Sequence, residues 1–370
     1  MIVVHAILLV VFTIYFGWML VLIWGWSINQ KKTKSSSLEN LAMSVLIPFR
    51  NESEHLHQLL SSLTALKYDK AKVEFIFIND HSDDNSVELL KQGLKHFPFP
   101  YNMISLDESS FGKKRAIEAG VSVASYPLLV TTDADCLHSE NWLQEINNLA
   151  VTGCDFIIAP VINKKQSGLL SNIQQIESLL LAGITVGSAK LKIPLLCSGA
   201  NLTYTKSLFK NLDPYKNNYE VLSGDDMFFL EKVVKENSLI NIGVSFDSEV
   251  QTEGSKSLSD MFSRSIRWAA KSNQIKIPLS IIFGAIVLIT NFSILFMIAL
   301  VILGDDSIVF FIKLCAIKTA IDVLFLVLLA NRYRRYETIM YFPIMVVFYP
   351  FYLLTISVGV VLSSPSWKGR

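Results

Sequence analysis

The stretch from Ile2 to Trp26 is almost continuously apolar, and three more apolar runs occupy about Ile277 to Leu303, Ile308 to Ala330 and Met340 to Leu362. A helix needs about 20 such residues to cross the hydrocarbon of a bilayer, where every backbone polar group must be satisfied internally. Four transmembrane helices are therefore predicted, with one long intervening stretch left to fold in water. The composition agrees, since 51% of residues are hydrophobic and the mean hydropathy is +0.40, above an ordinary globular chain.

Flanking charge sets the expected topology. Lys31, Lys32 and Lys34 directly follow the first run, whose own start is uncharged. A cleaved signal peptide has the reverse order and a shorter core, so an anchor is predicted, with the N-terminus outside and the lysines in the cytosol. The basic Asn331 to Arg335 connection belongs inside by the same rule, whereas Gly304-Asp305-Asp306 and the C-terminus fall outside. The expected organisation is an anchor over 1–28, a linker over 29–40, a cytosolic domain over 41–257, an amphipathic interface helix over 258–276 and a membrane region over 277–370. This describes a multi-pass protein of the plasma membrane. The third run also carries Lys313, Lys318 and Asp322, the last two on one helical face. They read either as a mutual ion pair or as contacts to a lipid headgroup or carrier phosphate.

Several function classes drop out. The net charge is +1 with scattered cations, so there is no basic field for nucleic acid. The four cysteines, Cys136, Cys154, Cys197 and Cys315, show neither zinc spacing nor a disulfide framework. His55 and His57 lie two apart among polar residues and read as a solvated surface.

Between about Leu41 and Lys276, short β-branched runs alternate with polar, helix-compatible stretches, the pattern of βαβ units and a mainly parallel sheet. Strands are predicted at Met43–Pro48, Val73–Ile78, Asn102–Leu106 and Leu128–Thr132, with helices at Glu52–Leu66, Ser86–Leu94 and Lys113–Ala124. Asp80 and Asp133 then sit at strand ends, where open α/β sheets bind ligands.

Asp133-Ala134-Asp135 offers two hard oxygen ligands suited to Mg²⁺ or Mn²⁺, though taken alone such aspartates at a strand end more commonly cap the following turn or helix. Asp80 is placed either to accept hydrogen bonds from a nucleotide or to shape the turn through Asp83 and Asp84. Lys113 opens a helix, an unfavourable place for a cation unless an anion is near, and reads either as a phosphate or nucleotide contact or as part of a solvated basic face. In Gly224-Asp225-Asp226, one carboxylate could take a proton from an acceptor hydroxyl while the other caps the helix that follows. Arg264-Ser265-Ile266-Arg267-Trp268 precedes an apolar run, and both membrane-surface anchoring and binding of a diphosphate with an indole stacked on sugar fit it.

In order and spacing these motifs resemble the family 2 glycosyltransferases, especially the membrane-bound branch with cellulose and chitin synthases and ceramide glucosyltransferases. The resemblance covers roughly residues 41–276 and begins at Val45-Leu46-Ile47-Pro48-Phe49-Arg50-Asn51-Glu52. It implies a GT-A (Rossmann-like) α/β nucleotide-sugar-binding domain flanked by transmembrane helices. Asp80 would be the nucleotide-binding aspartate, Lys113 the substrate lysine, and Asp133 and Asp135 the metal motif. Gly199 and Asn201, in Cys197-Ser198-Gly199-Ala200-Asn201, match the acceptor-side segment. Asp226 matches the catalytic base, with Asp225 in place of the family's glutamate. Arg264, Arg267 and Trp268 match (Q/R)-x-x-R-W, in the variant of the ceramide enzymes, for the nucleotide sugar and, through Trp268, the acceptor.

The implied activity is an inverting, metal-dependent hexosyltransferase using a nucleotide-diphosphate sugar, UDP-sugar foremost. Four spans look sparse for extruding a polymer, so a membrane lipid acceptor at the cytosolic face leads. Processive polysaccharide synthesis onto a saccharide acceptor is the alternative, and a non-catalytic nucleotide-sugar-binding scaffold the third reading.

Overall fold

The protein is described by a computed structural model over residues 2–28, 39–221, 223–236, 240–272 and 274–362. The expected linker over 29–40, with Lys31, Lys32 and Lys34, lies almost wholly outside the described residues, as does the chain after 362. Two compact units emerge: one of residues 29–164 and 189–253, the other of 1–28, 165–188 and 254–370.

In chain order the elements are α1 (Ile2–Ser27), β1 (Met43–Phe49), α2 (Leu56–Thr64), β2 (Val73–Asn79), α3 (Ser86–Leu94), β3 (Tyr101–Ser105), α4 (Lys113–Val123) and β4 (Leu128–Thr131). Then come β5 (Leu137–His138), α5 (Trp142–Ala150), β6 (Phe156–Ile158), β7 (Val161–Asn163), α6 (Leu169–Lys190), β8 (Leu202–Thr205) and α7 (Lys206–Leu212). The chain continues through α8 (Asp225–Lys235), β9 (Ile242–Val244), β10 (Val250–Thr252), α9 (Leu258–Ser272), α10 (Pro278–Ile302), α11 (Ile308–Tyr333) and α12 (Phe342–Leu362).

The first unit is a mixed α/β sheet ordered β3-β2-β1-β4-β8-β6-β9. β1 pairs in parallel with β2 and β4, and β2 in parallel with β3. β8 is antiparallel to both β4 and β6. Every residue of β1 is buried, as expected of a central strand covered on both faces. α4 lies so close above β1 and β2 that a Cβ on Gly120 would meet Ile78 Cδ1 at 3.0 Å and Leu46 Cδ2 at 3.3 Å. The early strands and helices thus form where alternation and helical spacing place them.

A small second sheet, β5-β10-β7, sits beside the turn after β4. Beneath it runs a buried polar latch. His138 is hydrogen-bonded to Thr132 Oγ1 through Nε2 at 2.8 Å, and its ring lies 4.1 Å from that of Trp142. Trp142 Nε1 donates to Asn201 Oδ1 at 3.0 Å, and Asn201 Nδ2 donates to the carbonyls of Pro160 and Ser248 at 2.9 and 2.7 Å. Burial pushes the His138 imidazole down to about 3.

The second unit is helical. Four of its segments are long and apolar enough to cross a membrane: Ile2–Ser27, Leu169–Lys190, Pro278–Ile302 and Tyr336–Leu362. Three match the expected runs, but the fourth is α6, which the sequence pattern left inside the water-soluble stretch. Its hydropathy of 1.2 is diluted by Asn172, Gln174, Gln175 and Glu177. α11 fills the remaining expected run as one helix yet is not among the four, and it carries Lys313, Lys318 and Asp322. Lys318 Nζ donates to Asp322 Oδ2 at 2.7 Å and Tyr15 Oη to Asp322 Oδ1 at 2.7 Å. The ion-pair reading of Lys318 and Asp322 is therefore the observed arrangement, with α1 supplying a third member.

The His138 latch makes a pH prediction. An unfolded histidine binds a proton near pH 6.5 and the buried one only near 3, so its contribution to stability is full above pH 6.5 and is lost as pH falls through that window. The slope approaches about 1.4 kcal/mol per pH unit. Unfolding of the detergent-solubilised chain between pH 7.5 and 5 should show the wild type losing stability faster than His138→Gln. Parallel curves would contradict a buried neutral imidazole.

Candidate active site

The carboxyl ends of β2 and β4 deliver the first two acids. Asp80 is 1% exposed. His81 Nδ1 lies 3.1 Å from its Oδ1, and the Gly112 N–H donates to its Oδ2 at 3.0 Å. Asp80 thereby ties the end of β2 to the start of α4, where Gly112 at φ +93° takes the left-handed region that glycine permits. His81, also left-handed at φ +56°, stacks on Phe111 at 4.5 Å.

α4 then opens with Lys113, which joins the parts of the site. Its Nζ lies 2.7 Å from Asp133 Oδ1 and 3.4 Å from Asp225 Oδ2. Burial pulls the Lys113 pKa down, but Asp133, Asp225 and Asp226 together hold it well above the usual lysine value. Burial likewise raises Asp133; Lys113 opposes this and the neighbouring Asp135 adds to it. The Asp135 carboxylate accepts from Thr252 Oγ1 at 3.1 Å, so β10 steadies the second acid of the pair.

Asp225 and Asp226 begin α8 after Gly224, itself at φ +85°. The Gly199 N–H donates to Asp226 Oδ2 at 3.3 Å, and the Cys197 thiol lies 3.3 Å from the Asp226 carbonyl oxygen. A Cβ on Gly199 would stand 2.6 Å from Asp225 Oδ2 and 3.1 Å from Lys113 Nζ. A side chain at Gly199 would have to push these two charged ends aside. Lys113, Asp133, Gly199, Asp225 and Asp226 thus form one cluster, with Asp135 two residues from Asp133. Asn201, matched to the acceptor side, is 1% exposed with both amide hydrogens bonded to backbone carbonyls. Its side chain holds the latch.

Some participants were not singled out in the sequence. Lys114 is buried, with Nζ bonded to the carbonyls of Asn218 and Val221 at 2.5 and 2.9 Å and placed 4.3 Å over the Phe228 ring. It fastens the 218–221 segment to α8, and only its neighbour Lys113 drew notice in the basic run. His55 is no solvated bystander: its Nδ1 is 2.7 Å from Glu52 Oε2 and its Nε2 3.7 Å from Glu253 Oε2. The Glu52 hydrogen bond leads the causes that raise its pKa.

Arg264, Arg267 and Trp268 lie on α9, in the helical unit. Arg264 Nη2 donates to Gln174 Oε1 at 2.8 Å, and its guanidinium carbon is 5.1 Å from the Trp268 ring centre. Burial first, then Arg264, lowers the Arg267 pKa. Trp268 is 42% exposed.

The donor set of the acidic turn suits a hard divalent cation. Among the described residues no three His, Cys, Asp or Glu side chains group as a metal cage, yet Mg²⁺ and Mn²⁺ are commonly held by one or two carboxylates with phosphate oxygens completing the shell. Asp133 and Asp135 supply that pair.

The model of the family described as "Glycosyl transferase family 2" matches residues 44–213. A poly-beta-1,6-N-acetyl-D-glucosamine synthase of Staphylococcus aureus is 34% identical over 166 residues, 43% of this chain and 37% of that protein. Glycosyltransferase AglE of Haloferax volcanii is 27% identical over 118 residues, 31% of this chain and 38% of its own. The chain thus spans a little over a third of the curated relatives it matches. In fold it is similar to a mannosyltransferase of Pyrobaculum calidifontis, solved with GDP-Man and Mn²⁺, at a TM-score of 0.61 and 16% identity over 97% of this chain and 99% of that one. Residues 44–213 of this chain thus carry a domain similar to glycosyl transferase family 2.

Proposed function

We propose that this glycosyltransferase moves a sugar, with inversion, from a nucleotide-diphosphate donor, UDP-sugar foremost, to a lipid acceptor at the cytosolic face of the plasma membrane. The observation that carries the reading is the Lys113 ammonium held between Asp133 and Asp225. It brings the acids suited to the donor diphosphate and the acids suited to the acceptor into one cluster. Inversion by single displacement requires both at once.

In this scheme Asp80 orders the nucleotide end through Gly112. Asp133 and Asp135 would hold Mg²⁺ or Mn²⁺, whose chemistry when bound is neutralisation of diphosphate charge. Arg267 adds a fixed cation for the leaving group, and Trp268 offers an exposed indole to the acceptor. Asp226 takes the acceptor's hydroxyl proton as the new C–O bond forms and the bond to the diphosphate breaks. Asp225 is committed to Lys113, which favours Asp226 as the base.

Four candidate spans support a membrane-borne acceptor and are few for lining a polar conduit. A second reading, processive polysaccharide synthesis, is favoured by the 34% identity to the Staphylococcus aureus synthase. Purified full-length protein given labelled UDP- and GDP-sugars, Mg²⁺ or Mn²⁺ and membrane lipid extract should yield a new glycolipid by mass spectrometry. A polymer with unchanged lipids would establish the second reading, and no transfer from any donor would sink both.

Asp226→Asn should bind UDP as the wild type does while transfer falls by about 10²- to 10⁴-fold, the range general bases contribute. Retained turnover would remove the proton from Asp226. Gly199→Ala presses on the movable ends of Asp225 and Lys113 rather than on backbone, so unfolding should change little while turnover drops on the order of 10²-fold, as a displacement of about 1 Å can cause. Wild-type rates in that variant would show the cluster tolerates looser geometry.

A further inference from the structure

We propose that Arg264 is a positioning residue that fixes the rotation of α9 through buried partners on α6 and α12, leaving Arg267 as the cation for the diphosphate. This rests on the transferase reading above but assigns Arg264 a different part from its neighbours in the motif.

Arg264, Arg267 and Trp268 share one helical face, so sequence alone gives all three the same task. Their surroundings differ. Arg264 Nη2 donates to Gln174 Oε1 at 2.8 Å. Gln174 is 1% exposed, and it also holds the chain entering α9, accepting from the Ser255 N–H at 2.7 Å and donating to the Ser255 carbonyl at 3.0 Å. Glu177, one turn along α6, interacts electrostatically with Arg264. On the adjoining side of α9, Ser265 Oγ is 2.5 Å from Tyr352 Oη, which in turn donates to Glu177 Oε1 at 3.3 Å. One residue on, Ile266 packs so tightly on Gly359 that a Cβ there would stand 2.4 Å from Ile266 Cδ1.

α9 is therefore gripped by α6 through Arg264 and by α12 through Ser265 and Ile266, and Glu177 links the two grips. A guanidinium with a buried amide partner and a nearby half-buried carboxylate already has its counter-groups. Leaving them for a diphosphate would give up the Gln174 bond and take this cation away from Glu177. Arg264 also lies under the Trp268 indole at 5.1 Å, so the same anchor orients the exposed ring.

The test separates binding from turnover in full-length protein. Arg264→Gln and Gln174→Ala should each lower kcat about 10-fold or more, with the Kd for UDP and the donor KM changed less than about 3-fold. The double variant should be no worse than about 2-fold beyond either single, since residues acting through one contact are not additive. Arg267→Gln, as the contrast, should weaken UDP binding by about 10-fold. A 10-fold loss of UDP binding in Arg264→Gln with Gln174→Ala unaffected would overturn the proposal. Should Arg264→Gln not fold, Gln174→Ala and Tyr352→Phe carry the same kcat-only expectation, and wild-type kcat in both would overturn it. If the wild type transfers no sugar at all, the transferase reading falls by itself. Hydrogen exchange across 258–272 still decides the anchor then: matched increases in Arg264→Gln and Gln174→Ala support it, and unchanged exchange refutes it.

Discussion

Everything at the candidate site turns on one ammonium group among carboxylates. Lys113 Nζ touches Asp133 and Asp225 and feels Asp226 as well. Three acids thus surround this cation, and Asp135 adds a fourth negative charge beside Asp133. Burying carboxylates without a partner costs several kcal/mol each, and one lysine leaves the balance negative. Such a pocket repels a bare diphosphate and favours one that arrives with divalent charge.

The sheet explains how distant segments reach that point. Parallel β1, β2 and β4 end on the same side of the sheet, which puts Asp80 and Asp133 at that end on either side of β1. Antiparallel β8 runs back between β4 and β6, so the turn leading into it, Gly199 to Asn201, arrives at the edge where β4 ends. β10 pairs with β5 and bonds Asp135 through Thr252. Each acid is steadied by a different strand connection, with the His138, Trp142 and Asn201 latch packed below.

Local pattern made much of this legible. Ser86 to Leu94 and Lys113 onward form helices where apolar spacing places them, and β1, β2 and β4 follow their β-branched runs. Asp133 and Asp225 also meet, at Lys113. What stayed hidden was set by tertiary context. α6 carries amides and Glu177 that mask an apolar helix, and those polar groups make sense only beside Arg264 and Tyr352. Asn201 looks like an acceptor contact in sequence, yet its amide is consumed by carbonyls that only the fold brings near. His55 gave no hint of Glu253, almost two hundred residues away.

The departure from glutamate at Asp225 also has a physical account. Its Oδ2 already lies 2.6 Å from the position a Gly199 Cβ would take. One more methylene would drive that oxygen into the 197–201 segment or past Lys113. The shorter acid keeps the ion pair and the glycine turn together, and this commits Asp225 to holding charge. A carboxylate facing an ammonium loses basicity. On the proposed mechanism, proton transfer then falls to Asp226, half-buried and held by the Gly199 amide. The two acids divide the work because one lysine can restrain only one of them at close range.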